Sequence, residues 1–383
     1  MSNSKITENL LDWFDLNKRI LPWRTHRTAY TTWISETMLQ QTRVNTVIPY
    51  YTRFLEEFPN IRSLAEASID KINKVWEGLG YYSRARNLKK GAEFCVANFK
   101  GELPEHPADL IRVPGIGPYT CGAVSSMIHG YPMPAVDGNA IRVTSRLFAL
   151  YINTQDSAAK KTVYDKLTEI LPEQRPGDFN EAVMDLGACI CTPRSPGCNI
   201  CPVSSFCGAF AMSVQNILPL RSKKKEIPSF PYTVLILTVE NQIYINRRPE
   251  TGLLSGLYEF ILYPEKLSQI KLQDLLSQSF PSIHPEKLKY NFLGESKHIF
   301  SHLQWEMTGY QIDLDSKTTQ LISALQNAKK EDLISDKSKT KVFLKPLQSV
   351  MTGRFYSREE AALLPFPSAL KIYTRTLFSD QIF

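Results

Sequence analysis

The sequence predicts a mainly helical protein that ends in a smaller α+β domain. Helical spacing dominates the first half of the chain, where one apolar face recurs at Ile6, Leu10, Leu11 and Phe14. A second helix is predicted where a polar opening, residues 83–86, precedes Leu88, Phe94 and Val96. Strand-like alternation is scarce before about residue 225 and frequent after it. This change of pattern predicts two domains of different class.

Length and charge set broad limits on the function. The 383 residues are enough for two hydrophobic cores, since a single core rarely grows beyond roughly 250–300 residues. An excess of 45 Lys and Arg over 38 Asp and Glu suits nucleic-acid contact, but it also occurs in ordinary enzymes. Residues 1–16 lack an export signal, and no run is long enough to cross a bilayer. We therefore expect a soluble, cytoplasmic protein that binds no membrane.

The C-terminal part is predicted to follow a basic linker at residues 216–230. This stretch contains Pro219, Pro228 and the run Lys223-Lys224-Lys225, which favour a solvated segment without regular structure. Strands are then predicted at residues 232–239 and 242–245, joined by the turn Glu240-Asn241. A helix at residues 272–279 and strands at residues 305–312 and 341–344 complete the α+β pattern. The predicted domains are therefore residues 1–215 and 231–383.

A cluster of cysteines indicates a metal centre. Four of them are separated by six, two and five residues, with prolines bending the chain between them: Cys191, Cys198, Cys201 and Cys207. Disulfides are disfavoured inside cells, and soft thiolates on one short loop suit either zinc or an iron–sulfur cluster. The other three cysteines are expected to pack inward as small apolar side chains: Cys95, Cys121 and Cys189.

Two further stretches carry candidate functional residues. Residues 110–120, LIRVPGIGPYT, predict a turn whose Gly115 and Gly117 leave N–H groups free for a phosphate group at a helix start. A plain connection between helices fits that turn equally well. Asp137 stands before a predicted helix and suits an N-cap. Glu36 lies among apolar neighbours in TTWISETMLQQT, although a single Glu on a helix is usually solvated.

Together these stretches resemble the helix-hairpin-helix DNA glycosylases with a 4Fe–4S loop, and within them the A/G-specific adenine glycosylases. The cysteine spacing matches, and four further blocks occur in the family's order: SETMLQQT, GLGYYSRARNL, VPGIGPYT and VDGNAIRV. The resemblance covers about residues 6–210 and continues more weakly to the C-terminus. It implies a mainly α fold, with a two-lobed helix-hairpin-helix glycosylase domain, a 4Fe–4S loop and an α+β Nudix-like domain. One 4Fe–4S cluster would be held by Cys191, Cys198, Cys201 and Cys207.

The resemblance also implies a mechanism. Glu36 would protonate adenine at N7, and Asp137 would stabilise or capture the oxocarbenium-like sugar. Apolar neighbours should raise the pKa of Glu36 above roughly 4.3, and a helix N-terminus should keep Asp137 ionised. Tyr119 and Asn139 would support the two carboxylates. Relatives that also nick the strand carry a Lys where Tyr119 stands, so a monofunctional enzyme that leaves an abasic site is expected.

The base must leave the stack before it can react. By resemblance, the residues that contact DNA beside the lesion pair are Gln41, Thr42, Leu79 and Tyr81, whereas Tyr82 is expected to lie in the core. The adenine pocket would be formed by Trp23, Arg24 and Glu181. The partner is expected to be double-stranded DNA with A opposite 8-oxoguanine or G, bound by a monomer.

The C-terminal domain resembles nucleotide-pool hydrolases of 8-oxoguanine triphosphate, but the hydrolase signature is missing after Gly256. We therefore expect it to bind the lesion without hydrolysing it. Phe300, Ser301 and His302 match the family's lesion-reading loop, and Ser301 is the expected contact to 8-oxoguanine. His298 is expected to be a surface residue.

Three other functions are compatible with parts of the sequence. An endonuclease-III-like pyrimidine glycosylase with lyase activity is disfavoured by Tyr119 and by the added C-terminal domain. A non-catalytic lesion-binding protein would have no reason to keep Glu36 and Asp137 together. A zinc-binding transcription factor would also explain four cysteines and a positive charge.

Overall fold

The computed structural model describes residues 2–154, 156–222, 226–280, 284–315, 319 and 346–378. The chain divides into two compact units, Met1–Lys224 and Lys225–Phe383. The triple-lysine run at residues 223–225 and the strand predicted at residues 341–344 lie outside the described residues. Within the described ranges, no helix is both long and apolar enough to cross a membrane.

The first unit is built from α-helices, as the sequence predicts. They are α1 Ser2–Asn17, α2 Pro22–Thr25, α3 Ala29–Leu39, α4 Val44–Glu57, α5 Ile61–Glu66, α6 Ile69–Val75, α7 Ser83–Asn98, α8 Pro107–Leu110, α9 Pro118–His129, α10 Gly138–Leu147, α11 Ser157–Thr168, α12 Pro176–Cys189 and α13 Gly208–Ala211. Residues 191–207, which carry the four spaced cysteines, are called the cysteine loop, and two short 3-10 turns lie within it, Cys198–Ile200 and Ser204–Phe206. In α7 the expected pattern is partly wrong, because Val96 is exposed and Arg84 in the polar opening is buried.

The helices of the first unit form two lobes. In one lobe, the apolar face of α1 packs against α10, α11 and α12, with Ile6, Leu10 and Phe14 in a shared core. In the other, α3 contacts α4 and α9, and α5 contacts α7. Helix α12 also contacts α9. The chain therefore returns its N-terminal helix to the lobe formed by residues far along the sequence.

The predicted hairpin connects α8 to α9. Gly115 has a φ of 87°, a left-handed conformation that favours glycine. A Cβ at this position would also lie 2.8 Å from Cβ of Asn87, so the close approach to α7 requires a residue without a side chain. Gly117 is the N-cap of α9, and Pro118 is its first residue.

The described part of the second unit is a mixed sheet covered by helices. Its strands are β1 Ser229–Val239, β2 Gln242–Arg247, β3 Tyr258–Glu259, β4 Ile261–Tyr263, β5 Lys289–Ile299, β6 Gln304–Asp313 and β7 Arg354–Ser357. The order is β3-β2-β1-β6-β5, with β4 also paired to β1 and β7 to β2. Its α-helices are α14 Gln269–Ser279, α15 Arg358–Leu363 and α16 Lys371–Phe378. The predicted hairpin is confirmed, since Val239 pairs with Gln242.

Strand β1 is buried on both faces, which explains its nearly continuous apolar sequence. Leu235 and Leu237 pack in one core with residues of α14, whereas Val234 and Ile236 pack in the other with residues of α15 and α16. β1 also lies parallel to β6. Parallel pairing and helices on both faces are the conditions under which a strand loses its polar alternation.

The predicted linker is not solvated along its whole length. Leu218 is 2% exposed, and its carbonyl accepts a hydrogen bond of 3.0 Å from Nε of the buried Arg146. At the other end, Ser229 and Phe230 already belong to β1. The buried side chain of Leu218 and its hydrogen bond to Arg146 hold the first part of the linker against the helical unit.

Candidate active site

One large cavity in the first unit brings together most of the predicted site residues. Its volume of about 910 Å³ is ample for a nucleobase with its sugar. The predicted residues that line it are Trp23, Arg24, Glu36, Gln41, Thr42, Gly115, Gly117, Tyr119, Asp137, Asn139 and Glu181. Leu79 and Tyr81 lie outside this lining, on the loop before α7, and residues 300–302 belong to the second unit.

Glu36 is a buried carboxyl group on α3 that faces this cavity. Only 5% of the residue is exposed, and the hydroxyl of Tyr119 on α9 donates a hydrogen bond to its Oε2. Burial raises the pKa of Glu36 to about 7, and the negative charges of Glu181 and Asp137 act in the same direction against the opposing Tyr119 bond. The predicted upward shift is therefore confirmed.

Asp137 is the N-cap of α10, as its sequence position predicts. Its Oδ1 accepts from the backbone N–H of Ala140 at 2.6 Å, and its Oδ2 accepts from Nδ2 of Asn139 at 2.9 Å. The expectation that the helix start keeps Asp137 ionised stays a prediction, and the structure adds an opposing effect. Burial raises the pKa of Asp137, and the donors at the helix start only oppose that shift. The sequence could not reveal this burial, which distant elements impose.

A chain of hydrogen bonds connects Asp137 to the cysteine loop. Asn139, which donates to Asp137, accepts from Nη2 of Arg142 at 2.8 Å. Nε of Arg142 donates to the carbonyl of Cys191, also at 2.8 Å. The position of the carboxylate therefore depends on the structure of the loop that carries the four cysteines.

The predicted adenine-pocket residues are held by a network of ion pairs. Nε of Arg24 lies 2.7 Å from Oε1 of Glu181, and its Nη1 lies 2.8 Å from Oδ2 of Asp185. Arg27 also pairs with Glu181 at 2.7 Å, and Arg19 pairs with the fully buried Asp185. Arg19, Arg27 and Asp185 are not among the site residues predicted from the sequence. The available signal was the spacing of two acidic residues four apart on one helix.

Gln41 and Tyr81 share an unusual backbone conformation. Their φ angles are 58° and 50°, in the left-handed region that residues with a side chain rarely adopt. Both side chains are exposed, whereas Leu79 and Tyr82 are buried. The expected core position of Tyr82 is confirmed. Residues other than glycine keep a left-handed conformation only where surrounding contacts hold them in it, and such residues cluster at functional sites.

The four spaced cysteines line one small cavity, beside Arg146 and Ile190. Nη1 of Arg146 lies 3.3 Å from Sγ of Cys191. Among the described residues, no group of three His, Cys, Asp or Glu side chains is arranged to hold one metal ion. The four thiols nevertheless surround one shared cavity, and soft thiolates suit either zinc or an iron–sulfur cluster.

Two of the other three cysteine predictions are confirmed. Cys95 and Cys121 are buried, but Cys189 is exposed. Cys189 is the last residue of α12, and Leu186 and Ile190 take the inward positions on either side of it. Cys189 faces solvent because the side of the helix that faces the core is occupied by these two apolar neighbours.

The predicted lesion-reading loop connects β5 to β6 in the second unit. Ser301 and His302 are exposed, and Oγ of Ser301 lies 3.3 Å from Nδ1 of His302. The ring of Phe300 anchors the loop, 5.0 Å from Trp305 and 4.6 Å from His298. His298 is half-buried, so it lies at the surface as expected, with its ring packed against Phe300.

Comparison with known proteins places this site in a family. The model described as HhH-GPD superfamily base excision DNA repair protein matches residues 34–173, and a NUDIX domain model matches residues 232–375. An adenine DNA glycosylase of Buchnera aphidicola subsp. Schizaphis graminum is 33% identical over 345 residues, which cover 89% of this chain and 96% of that relative. The chain belongs to the adenine DNA glycosylases.

Further members of this family and a related structure agree with the assignment. The adenine DNA glycosylase of Arabidopsis thaliana is 38% identical over 352 residues, which cover 78% of this chain and 56% of the plant protein. This chain therefore spans little more than half the length of that relative. A solved thermostable thymine-DNA glycosylase matches with a TM-score of 0.50 and 26% identity, over 55% of this chain and 97% of that structure.

These findings confirm several predictions from the sequence. The family, the fold class of helical helix-hairpin-helix and Nudix-like domains, and DNA glycosylase activity in base excision repair are all supported. The protein therefore binds DNA as a glycosylase, and these findings disfavour a zinc-binding transcription factor. The domain boundaries and the roles of individual site residues remain predictions.

The raised pKa of Glu36 leads to a prediction about pH. Excision under single-turnover conditions should fall by about tenfold per pH unit above about pH 7, because Glu36 loses its proton there.

Glu36→Gln should bind substrate DNA normally but lose about 10²–10⁴ in rate, since the amide cannot supply a proton. Release of abasic sites, assayed from about pH 6 to about pH 9, measures both effects. Glu102→Gln at an exposed position is the control, and a fast Glu36→Gln enzyme would remove Glu36 from the acid role.

Proposed function

We propose that this adenine glycosylase hydrolyses the N-glycosidic bond of adenine paired with 8-oxoguanine or guanine in double-stranded DNA, and leaves an abasic site. The observation that carries this proposal is the buried Glu36, with a pKa of about 7, in the same cavity as Asp137. Such a pair suits a reaction that needs both a proton donor and an anion. The names of the relatives, adenine DNA glycosylases, support adenine as the excised base.

Glu36 would act first, because adenine leaves readily only after a ring nitrogen is protonated. A carboxyl group with a pKa near 7 carries its proton for part of the time at neutral pH and can transfer it to N7 of adenine. Tyr119 would hold the carboxyl group in place through its hydroxyl. The pKa of Tyr119 is raised well above 10 by burial, so the phenol keeps its proton and acts only as a donor of a hydrogen bond.

Asp137 would stabilise the sugar as the bond to adenine breaks and positive charge develops. Its carboxylate is held by the N–H of Ala140 and the amide of Asn139, so it needs no reorganisation during the reaction. The surrounding protein excludes much of the solvent, which strengthens its attraction for the cationic sugar. Water would then add to the sugar carbon and complete hydrolysis.

The remaining residues of the cavity would receive and orient the extruded base. Trp23 offers an apolar face, and the paired Arg24 and Glu181 offer a donor and an acceptor for the adenine edge. Gln41, Thr42 and Tyr81 would contact the duplex where the base has left, with the buried Leu79 beside them. Gly115 and Gly117 would bring backbone N–H groups of the hairpin to a phosphate.

The four cysteines Cys191, Cys198, Cys201 and Cys207 would hold one 4Fe–4S cluster, as glycosylases of this type usually do. The group would cross-link residues 191–207 through four Fe–S bonds and so stabilise the loop. Arg142 and Arg146 bond to this loop. A stable loop would in turn keep Asn139 and Asp137 in position. We further propose that the protein works inside the cell, associated with DNA, as a monomer.

Recognition of the opposite base must be part of the function, because adenine itself is an undamaged base. The exposed Ser301, in the loop anchored by Phe300, would contact 8-oxoguanine, with His302 beside it. A hydroxyl group can both donate and accept, which suits the N7–H and O8 that distinguish 8-oxoguanine from guanine. The apolar anchor would hold this loop in one conformation.

The direct test is excision from duplexes that differ only in the base opposite adenine. We expect abasic sites to form fastest opposite 8-oxoguanine, more slowly opposite guanine and hardly at all opposite thymine. The sites are measured by alkaline cleavage of end-labelled DNA under single-turnover conditions. Equal excision opposite thymine, or activity confined to oxidised pyrimidines with strand nicking, would contradict the proposal and favour an endonuclease-III-like enzyme.

Ser301→Ala should weaken discrimination between 8-oxoguanine and guanine without changing the rate opposite guanine. Loss of one or two hydrogen bonds to the lesion should reduce the preference by about 3- to 30-fold. The ratio of excision rates on the two duplexes is the measurement. Ser277→Ala, at an exposed position of α14, is the matched control. An unchanged ratio in Ser301→Ala would exclude this contact from lesion recognition.

Tyr119→Lys should gain strand-nicking activity. The side chain at this position lines the cavity beside Glu36, and the burial that raises the pKa of Tyr119 would favour a neutral amine. Such an amine can form a Schiff base with the exposed sugar carbon. Borohydride should trap the variant on substrate DNA and the parent protein only poorly. Equal trapping of both would show that the parent already uses another lysine.

A further inference from the structure

Two loops of the first unit carry exposed residues in the left-handed conformation. One loop, residues 40–42, follows α3 and contains Gln41, and the other, residues 78–82, precedes α7 and contains Tyr81. In the proposed function these are the two loops that contact the lesion pair. Neither Gln41 nor Tyr81 is a glycine, so contacts elsewhere must hold both backbones in place.

One side chain, Arg84 in the first turn of α7, bonds to both loops. On one side its Nη1 donates to backbone carbonyls at the end of α3 and in the loop beyond, at 3.0 Å to Thr37, 2.8 Å to Met38 and 2.6 Å to Gln40. On the other side its Nη2 donates to the carbonyls of Leu79 at 3.3 Å and Gly80 at 3.1 Å. Nη2 also reaches the hydroxyl of Thr42 at 3.2 Å.

Aromatic rings enclose the same guanidinium group. Its Cζ lies 5.3 Å from the ring of Tyr81 and 5.4 Å from the ring of Trp76, within the range of a cation–π contact. Arg84 is only 7% exposed, and the salt bridges among the described residues include none to it. Carbonyl dipoles and ring faces therefore stabilise this buried charge, and these groups belong to the two loops and the adjoining helices.

The geometry requires an arginine. A guanidinium group is planar and presents its N–H donors in several fixed directions, so one group can bond two separate loops at once. The single ammonium of a lysine is a compact charge that would satisfy one loop and leave carbonyls of the other unpaired. Arg84 also bonds the free carbonyls at the end of α3, where a cation is favoured by the helix dipole. The same helix carries Glu36.

We propose that Arg84 is a positioning residue for base extrusion, which couples the Gln41 and Tyr81 loops so that the two side chains enter the duplex as one rigid unit. This inference rests on the proposed function and adds to it a residue that touches neither the adenine nor the sugar. Without the coupling, each loop relaxes from its left-handed conformation by itself, and extrusion of the base becomes less favourable. Proton transfer from Glu36 is unaffected.

The test follows base extrusion separately from chemistry. In a Glu36→Gln background, which blocks excision, duplex DNA with 2-aminopurine in place of the adenine opposite 8-oxoguanine reports unstacking by its fluorescence. We expect Arg84→Lys to lower the equilibrium for unstacking by about tenfold at saturating protein, because buried bonds to one loop are lost. Arg84→Met should lower it at least as far, because the bonds to both loops are lost. With Glu36 intact, single-turnover excision of adenine should fall by a similar factor while its decline above about pH 7 keeps the same midpoint.

Arg62→Met is the matched control. Arg62 also donates a hydrogen bond to the backbone carbonyl of a left-handed residue, Lys100. Lys100 follows the C-terminal end of α7, whereas the Tyr81 loop precedes its N-terminal end. Arg62→Met should leave unstacking and excision unchanged. Thermal unfolding and absorbance near 400 nm check that each variant is folded, and Arg84→Lys keeps the charge should Arg84→Met fail to fold.

Three results would overturn the inference: normal unstacking in Arg84→Lys, equal losses in Arg62→Met, or a shifted pH midpoint, which would place Arg84 in the proton transfer. Failure of the proposed function is a different result. It would appear in the parent protein as no excision of adenine, whatever the behaviour of the Arg84 variants.

Discussion

The burial of two carboxyl groups in one cavity is the constraint on which the rest of the site depends. Glu36 and Asp137 lie on helices from different parts of the chain, and burial raises the pKa of each. A buried carboxyl group is destabilising unless donors satisfy it. Tyr119 supplies a donor to Glu36, and the start of α10 with Asn139 supplies donors to Asp137. The same burial that threatens stability makes one group a proton donor at neutral pH.

Polar networks extend this constraint outward to both lobes of the helical unit. Asp185 and Glu181 on α12 anchor Arg24 and Arg27, which lie in and beside the short helix α2. Hydrogen bonds through Arg142 link α10 to the cysteine loop. Each network joins segments more than a hundred residues apart or connects a loop to the helix that it supports. Ion pairs and hydrogen bonds therefore connect the active site to distant parts of the helical unit.

Arginine side chains do much of this joining, and they do so through backbone carbonyls as well as carboxylates. Arg84 and Arg146 are both buried and bond chiefly to carbonyl oxygens of loops. In the second unit an aromatic contact has the same role, since Phe300 anchors the exposed loop against Trp305. In both units, loops proposed to contact DNA are thus held by a buried side chain, which lowers the entropic cost of binding.

The sequence by itself determined the features that depend on local patterns: the helices of the first unit, the glycine hairpin, the β1–β2 hairpin, the spacing of the four cysteines and the family. It also predicted the raised pKa of Glu36, because apolar neighbours on one helix are visible in sequence. Only the tertiary structure decided which side chains become buried together. The raised pKa of Asp137 and the contacts of Arg84 with the end of α3 depend on elements distant in sequence. The exposed Cys189 and the packed ring of His298 depend on which side of a helix or hairpin faces the core. Burial and hydrogen bonding are collective properties of packed elements, and no local pattern specifies the partner that a side chain will meet.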